Sequence, residues 1–161
     1  MLIECLVNIR REISLFEQTA RDEGWFEEIC EGCEVERETR NYQDLFAGAT
    51  AQGRPVLVGL RILWATEECY LRAWRFGLKN LKVDESKPAD VVQRVFIPNW
   101  SSAEFEAFVT NLGGLANKMA TEWGVEEGGR VWKECEAAWK QVIWVKREFW
   151  PDVDENGMAE K

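Results

Sequence analysis

Residues 55–79, PVLVGLRILWATEECYLRAWRFGLK, constrain the fold more than any other stretch of the chain. They form its longest apolar run. Pro55 suits the first turn of a helix, where a missing N–H costs nothing. Val56, Leu57, Val58, Leu60, Ile62, Leu63, Trp64 and Ala65 follow. The run is too long for one strand and too often interrupted by charge to cross a membrane. A central helix, buried on most sides, satisfies both limits.

The charges on that helix sort into two groups. At about 100° per residue, Arg61, Glu68, Arg72 and Arg75 fall on one narrow stripe, which predicts a solvated edge. Glu68 and Arg72 also make a favourable i,i+4 pair. Glu67 lies elsewhere, on the face that carries Leu60, Leu63, Tyr70, Leu71, Trp74 and Leu78. A carboxylate on an apolar face must be paired, hydrogen-bonded or protonated. Two readings follow: a structural Glu bonded to a Tyr or Trp of a neighbouring helix, or a carboxylate set in a pocket.

Composition narrows the chemistry. The chain has 161 residues, enough for one domain with a core, and nine of them are Trp. Such aromatic density suits thick helix packing, or a flat ligand held between rings. The net charge of −9 argues against nucleic acid and anionic membranes as partners. There is no His. That removes Ser-His-Asp and Cys-His catalysis, proximal-His haem ligation, HExxH zinc sites and carboxylate–histidine di-iron sites. No cofactor and no metal are expected. The five Cys, an odd number, and a start without a signal peptide predict a reducing, cytoplasmic setting. Cys30 and Cys33 form a lone CxxC, expected to be structural or incidental because four soft ligands do not occur at regular spacing.

Along the chain, residues 1–23 predict a helix with Leu2, Leu6, Ile9, Ile13, Phe16 and Ala20 as its seam. Glu12 sits beside that seam, and Gly24 is the expected stop. Residues 25–35 are irregular or a short helix, and 36–49 form another helix with Tyr42, Leu45 and Phe46. Residues 80–98 predict a loop, including Asp84, Glu85, Ser86, Lys87 and Pro88, then a short apolar piece. Ser101 and Glu104 fit a capping box. The helix after it would use Phe105, Phe108, Leu112, Leu115 and Met119, with Gly113-Gly114 marking close helix contact. The last helix, ending near Trp150, would bury Val131, Cys135, Ala138, Val142, Val145 and Phe149. A neighbouring row holds Trp132, Trp139, Ile143, Lys146 and Trp150, so Lys146 faces aromatic surface. No segment predicts a strand, and the polar stretch 151–161 reads as a tail. The expectation is an all-α, antiparallel up-and-down bundle over residues 1–150.

Five landmarks then fall in a recognisable order: Glu12 with Phe16, Tyr42 with Phe46, PVLVGLRILWATEECY, NWSSAEF at 99–105 and REFW at 147–150. In that order and spacing the chain resembles the TENA/THI-4 family, most closely its eukaryotic branch. The resemblance implies a haem oxygenase-like fold without haem, and hydrolysis of aminopyrimidines or thiamin in pyrimidine salvage. It places Thr66 where one branch has a nucleophilic Cys, with Cys69 out of register. It places Glu67 where the other branch has a catalytic Glu, and Glu12 at the first-helix acidic position. It also implies a pocket with Trp100, Tyr42, Tyr70 and Trp64. Two departures stand out. Lys146 occupies the position of a second catalytic Glu, and the chain starts at what would be the third helix. A fragment, a shortened product, or a wall supplied by another copy in a homo-oligomer would each account for the second.

The chemistry makes the first departure important. Hydrolysis of an aminopyrimidine needs a group to activate water and an acid for the departing amine. Two carboxylates in a dry pocket can divide those roles. A Lys in place of one makes an ion pair that holds the other Glu ionised and occupied. Three readings follow: a salvage hydrolase with Glu67 and Glu12 as acid and base, a non-catalytic binder or partner subunit, or an enzyme with an unrelated substrate.

Overall fold

The computed structural model describes residues 2–30, 33–82, 86 and 88–150. The side chain of Cys30, the loop residues Asp84, Glu85 and Lys87, and the tail 151–161 lie outside the described residues. The chain divides into two compact units, Met1–Arg40 and Asn41–Lys161. Every described element is helical.

The first unit holds α1 (Leu2–Asp22), the short α2 (Phe26–Cys30) and the start of α3 (Arg37–Ala49). Gly24 ends α1 as expected, at φ 78°, with the N–H of Trp25 donating to Ala20 O at 2.8 Å. The Arg21 guanidinium then rests 3.5 Å from the centre of the Phe26 ring, tying α2 to α1. Of the seam expected on α1, Ala20 is buried, and the side chain of Leu2 lies outside the described residues. Leu6, Ile9, Ile13 and Phe16 are all exposed.

The second unit is organised around α4 (Val56–Asn80), which packs against α5 (Ile97–Trp100), α6 (Ala103–Glu122) and α7 (Arg130–Phe149). Pro55 stands at its N-cap, as its fixed φ and missing N–H favour. Leu57, Val58, Leu60, Ile62, Ala65, Thr66 and Leu71 are buried along it. On one side Val58, Ile62 and Ala65 meet Tyr42, Leu45 and Ala49 of α3 and Ala138, Val142 and Val145 of α7. Toward its other end, Leu71 packs with Trp100, Phe105 and Val109. Each large side chain fully buried here contributes about 1.5–3 kcal/mol of transfer free energy. The charged stripe behaves as expected at Arg72, whose Nε donates to Glu68 at 2.7 Å. Arg75 reaches further and bridges to Glu106 of α6 at 2.6 Å.

Two local expectations change. The segment expected to be loop and short apolar piece is helical from Val91 to Trp100. Its start is fixed by Asp90, whose Oδ1 accepts from the Gln93 N–H at 2.8 Å. Residues Val92–Phe96 form a π-helical turn, in which the Ile97 N–H reaches back five residues to Val92 O. The cap of α6 is Ser102, not Ser101. Ser102 Oγ accepts from Phe105 N–H at 3.1 Å, while Ser101 Oγ donates to Ile97 O at 2.6 Å and closes the preceding turn. With the start moved, the buried face of α6 is Phe105, Val109, Leu112, Gly113 and Ala116. Phe108, Leu115 and Met119 are only half-buried.

Gly113 is the point of close approach. A Cβ built there would stand 2.7 Å from Trp64 Nε1 and 3.1 Å from its Cδ1. Trp64 cannot easily give way, because its ring stacks on Trp139 at 5.7 Å with 26° between planes. Gly114, one residue on, meets nothing. Gly113→Ala is therefore expected to destabilise the fold by about 1–3 kcal/mol from overpacking, while Gly114→Ala stabilises or leaves it unchanged. Equal denaturation midpoints for the two variants would show that α4 and α6 do not meet at residue 113.

Candidate functional site

Lys146 is the centre of the candidate site. It lies on the buried face of α7 beside Val142 and Val145, only 4% exposed. Its Nζ stands 2.7 Å from the centre of the Tyr70 ring, and 5.2 Å, 5.8 Å and 5.9 Å from those of Tyr42, Trp150 and Phe149. The ammonium is thus enclosed by aromatic faces, which attract it through their quadrupoles. Its Nζ has no hydrogen-bond partner. Burial pushes its pKa from 10.5 down to about 7, against the opposing pull of Cys69 and Glu67.

Helical spacing assembles this cage. On α4, Tyr70 and Trp74 are four residues apart and share a face. On α7, Lys146, Phe149 and Trp150 are three and four apart. Tyr42 of α3 meets Phe149 edge-on at 5.1 Å. Trp150 meets both Tyr70, at 5.9 Å, and Trp74, at 6.2 Å. Trp74 stacks on Trp100 at 5.2 Å, and Phe96 completes the row at 5.4 Å from Trp100. The ring system therefore runs continuously from α3 to α5.

Several polar groups border this ring system. The Tyr42 hydroxyl and the Trp74 indole N–H are buried without hydrogen-bond partners. Burial raises the Tyr42 pKa, and charge on Tyr70, Cys69 and Glu67 raises it further. The Thr66 hydroxyl, at the edge of the same space, offsets part of this without meeting hydrogen-bond geometry to Tyr42. Thr66 instead donates to Ile62 O at 2.9 Å. The Cys69 thiol is pushed up by burial and partly held down by Lys146. It is a protonated thiol at neutral pH, not a nucleophile. Among the described residues no group of three or more Cys, Asp or Glu could hold a metal ion.

The residues expected from the sequence divide accordingly. Tyr42, Tyr70 and Lys146 come together, and Glu67 lies close enough to act on Lys146 and Tyr42 by its charge. Glu67 is half-buried. Trp100 joins through Trp74. Trp64 packs against the cluster that holds Leu71 and Trp100, and its ring stacks on Trp139. Glu12 is half-buried on α1 in the first unit. The sequence places Trp150 in the helical row of Lys146 and Trp74 on the face of Tyr70, but marks neither of them, nor Phe149, as a site residue. Their i+4 and i+3 spacing from Tyr70 and Lys146 was the available signal.

Comparisons with known proteins leave the family open. No family model matches the chain, and no solved structure matches it. A protein named "Probable transcription factor" from Fusarium pseudograminearum (strain CS3096) is 21% identical over 185 residues. The match covers 95% of this chain, which spans only 36% of that protein's length.

The buried amine makes stability depend on pH. Below about pH 7 Lys146 is charged in both folded and unfolded chains, and the full cost of burying it is present. Between about 7 and 10.5 the unfolded chain holds more protons than the folded one, so stability rises with pH. Lys146→Met removes this dependence. Relative to that variant, the wild-type chain is expected to gain about 2–4 kcal/mol between pH 6 and pH 10 in urea denaturation. Parallel curves for the two proteins would mean that Lys146 is hydrated, not caged.

Proposed function

We propose that this chain is a small-molecule binder on a TENA/THI-4-like, haem oxygenase-like scaffold, and that it does not hydrolyse aminopyrimidines. The observation that carries this reading is the placement of Lys146. The resemblance implies a second catalytic carboxylate at that position. A carboxylate pair needs both members open to substrate and water. Lys146 instead lies under the Tyr70 ring with its Nζ sealed from solvent. Its lowered pKa suits a general base, but geometry decides first, and a covered nitrogen cannot reach a water. Lys146 therefore supplies no second carboxylate to divide acid and base work.

The absence of a transmembrane-type helix among the described residues fits a protein working away from the bilayer core. The exposed row Leu6, Ile9, Ile13 and Phe16 on α1 supports a homo-oligomer, since such rows are commonly covered in an assembly. The name of the fungal relative supports no DNA-contacting role here: a net charge of −9 opposes phosphate binding.

An ammonia-release assay with an aminopyrimidine substrate tests the reading. Turnover well below roughly 1 per second is expected for the wild-type chain. Lys146→Glu would restore the carboxylate implied by the resemblance, and any hydrolysis should appear in that variant first. Wild-type turnover at enzyme-like rates would overturn the proposal.

A further inference from the structure

A second, independent feature lies about 10 Å along α7 from Lys146, since Trp139 precedes it by two turns. There α4, α6 and α7 leave a groove of about 400 Å³. Trp64, Trp132 and Trp139 wall it, and Leu57, Ala116 and Ala120 line it with apolar surface. Its size falls within the range of small-molecule sites, roughly 300–1,000 Å³. None of the Lys146 cage residues lines it.

The groove is built by identifiable local chemistry. Gly113 lets Trp64 lie against α6, and Trp139 stacks on the other face of the pair. At the end of α6, Gly124 at φ 58° turns the chain so that Val125 N–H donates to Ala120 O at 3.0 Å. That turn brings Val125 into the lining beside Ala120. The polar groups are few: Arg61, Asn117, Glu136 and the Cys135 thiol. Burial raises the pKa of Cys135, with Arg61 opposing, so the thiol stays protonated.

Arg61 gives the groove its chemical character. Its guanidinium lies 4.5 Å from the centre of the Trp64 ring and is positioned by that ring. No carboxylate is paired with it among the described ion pairs. Glu136, the acidic residue of the lining, is engaged by Lys140 at 2.7 Å and holds its carboxyl below the usual range through that contact. A planar cation donor, pre-oriented on a Trp and facing aromatic walls, matches a flat ligand carrying a carboxylate.

We propose that this groove binds a planar aromatic carboxylate, its ring against Trp132 and Trp139 and its carboxylate on Arg61. The assignment does not depend on the family reading or on the Lys146 cage. Isothermal titration calorimetry on the full chain tests it with naphthalene-2-carboxylate and the neutral 2-naphthalenemethanol as probes. One carboxylate per chain is expected, bound more tightly than the alcohol. Arg61→Gln should weaken the carboxylate roughly 10-fold or more and leave the alcohol unchanged. Ala120→Phe, which fills the groove, should abolish binding of both. Arg61 is half-exposed, so its variant is expected to fold, and helicity by circular dichroism checks each protein. No saturable binding by the folded wild type would overturn the proposal, as would equal loss of both probes in Arg61→Gln or unchanged binding in Ala120→Phe.

Discussion

Trp64 can lie against α6 only because residue 113 brings no side chain to the contact. Much of the second unit depends on that approach. It sets the separation of α4 and α6, and hence the depth at which Leu57, Leu112 and Val109 become fully buried. It also fixes the Trp64 ring where Trp139 can stack on it and Arg61 can rest on its face. Close packing is unforgiving here, since interiors hold few voids that could absorb a methyl group. The groove is therefore a by-product of tight packing one layer below it.

The Lys146 cage obeys a different balance. Removing an ammonium from water costs several kcal/mol, and no counter-ion hydrogen-bonds to its nitrogen to offset this. Four aromatic faces supply a partial substitute, and the lowered pKa supplies the rest by making the neutral amine accessible near pH 7. The unmade hydrogen bonds of Tyr42 and Trp74 lie along the same ring system. Polar atoms left unsatisfied in a native interior mark places where packing has yielded to some other demand.

The sequence carried more about elements than about their faces. Long periodic segments such as Val56–Asn80 and Arg130–Phe149 declare themselves through spacing and punctuation. Lys146 is recognisable as a residue facing aromatics, because Trp139 and Trp150 share its helical row. What periodicity cannot supply is the partner. It does not say that Trp64 stacks on Trp139 while the Tyr70 ring covers Lys146. It placed the cap of α6 one residue early, since Ser101 and Ser102 both fit the local pattern. Only tertiary contact chooses between the two hydroxyls. The seam on α1 shows the same limit: an apolar row states a need for cover, and says nothing of what provides it. Asp90 is a cap-type residue, but Pro88 two residues before it favours loop.

The π-helical turn at Val92–Phe96 adds one residue to a helical turn without lengthening the path in proportion. In register terms it is a phase shift. Every side chain beyond it is rotated by about 100° relative to an uninterrupted α-helix. Ile97 and Trp100 come after the shift, and both are buried. The stacking of Trp100 on Trp74 thus depends on the chain length of this segment, whose last residue, Phe96, lies 5.4 Å from Trp100 and 6.4 Å from Trp74. Spacing between residues 90 and 100, more than their chemical identity, sets which aromatic meets α4. An insertion or deletion in this short stretch changes the aromatic row as thoroughly as replacing Trp100 itself.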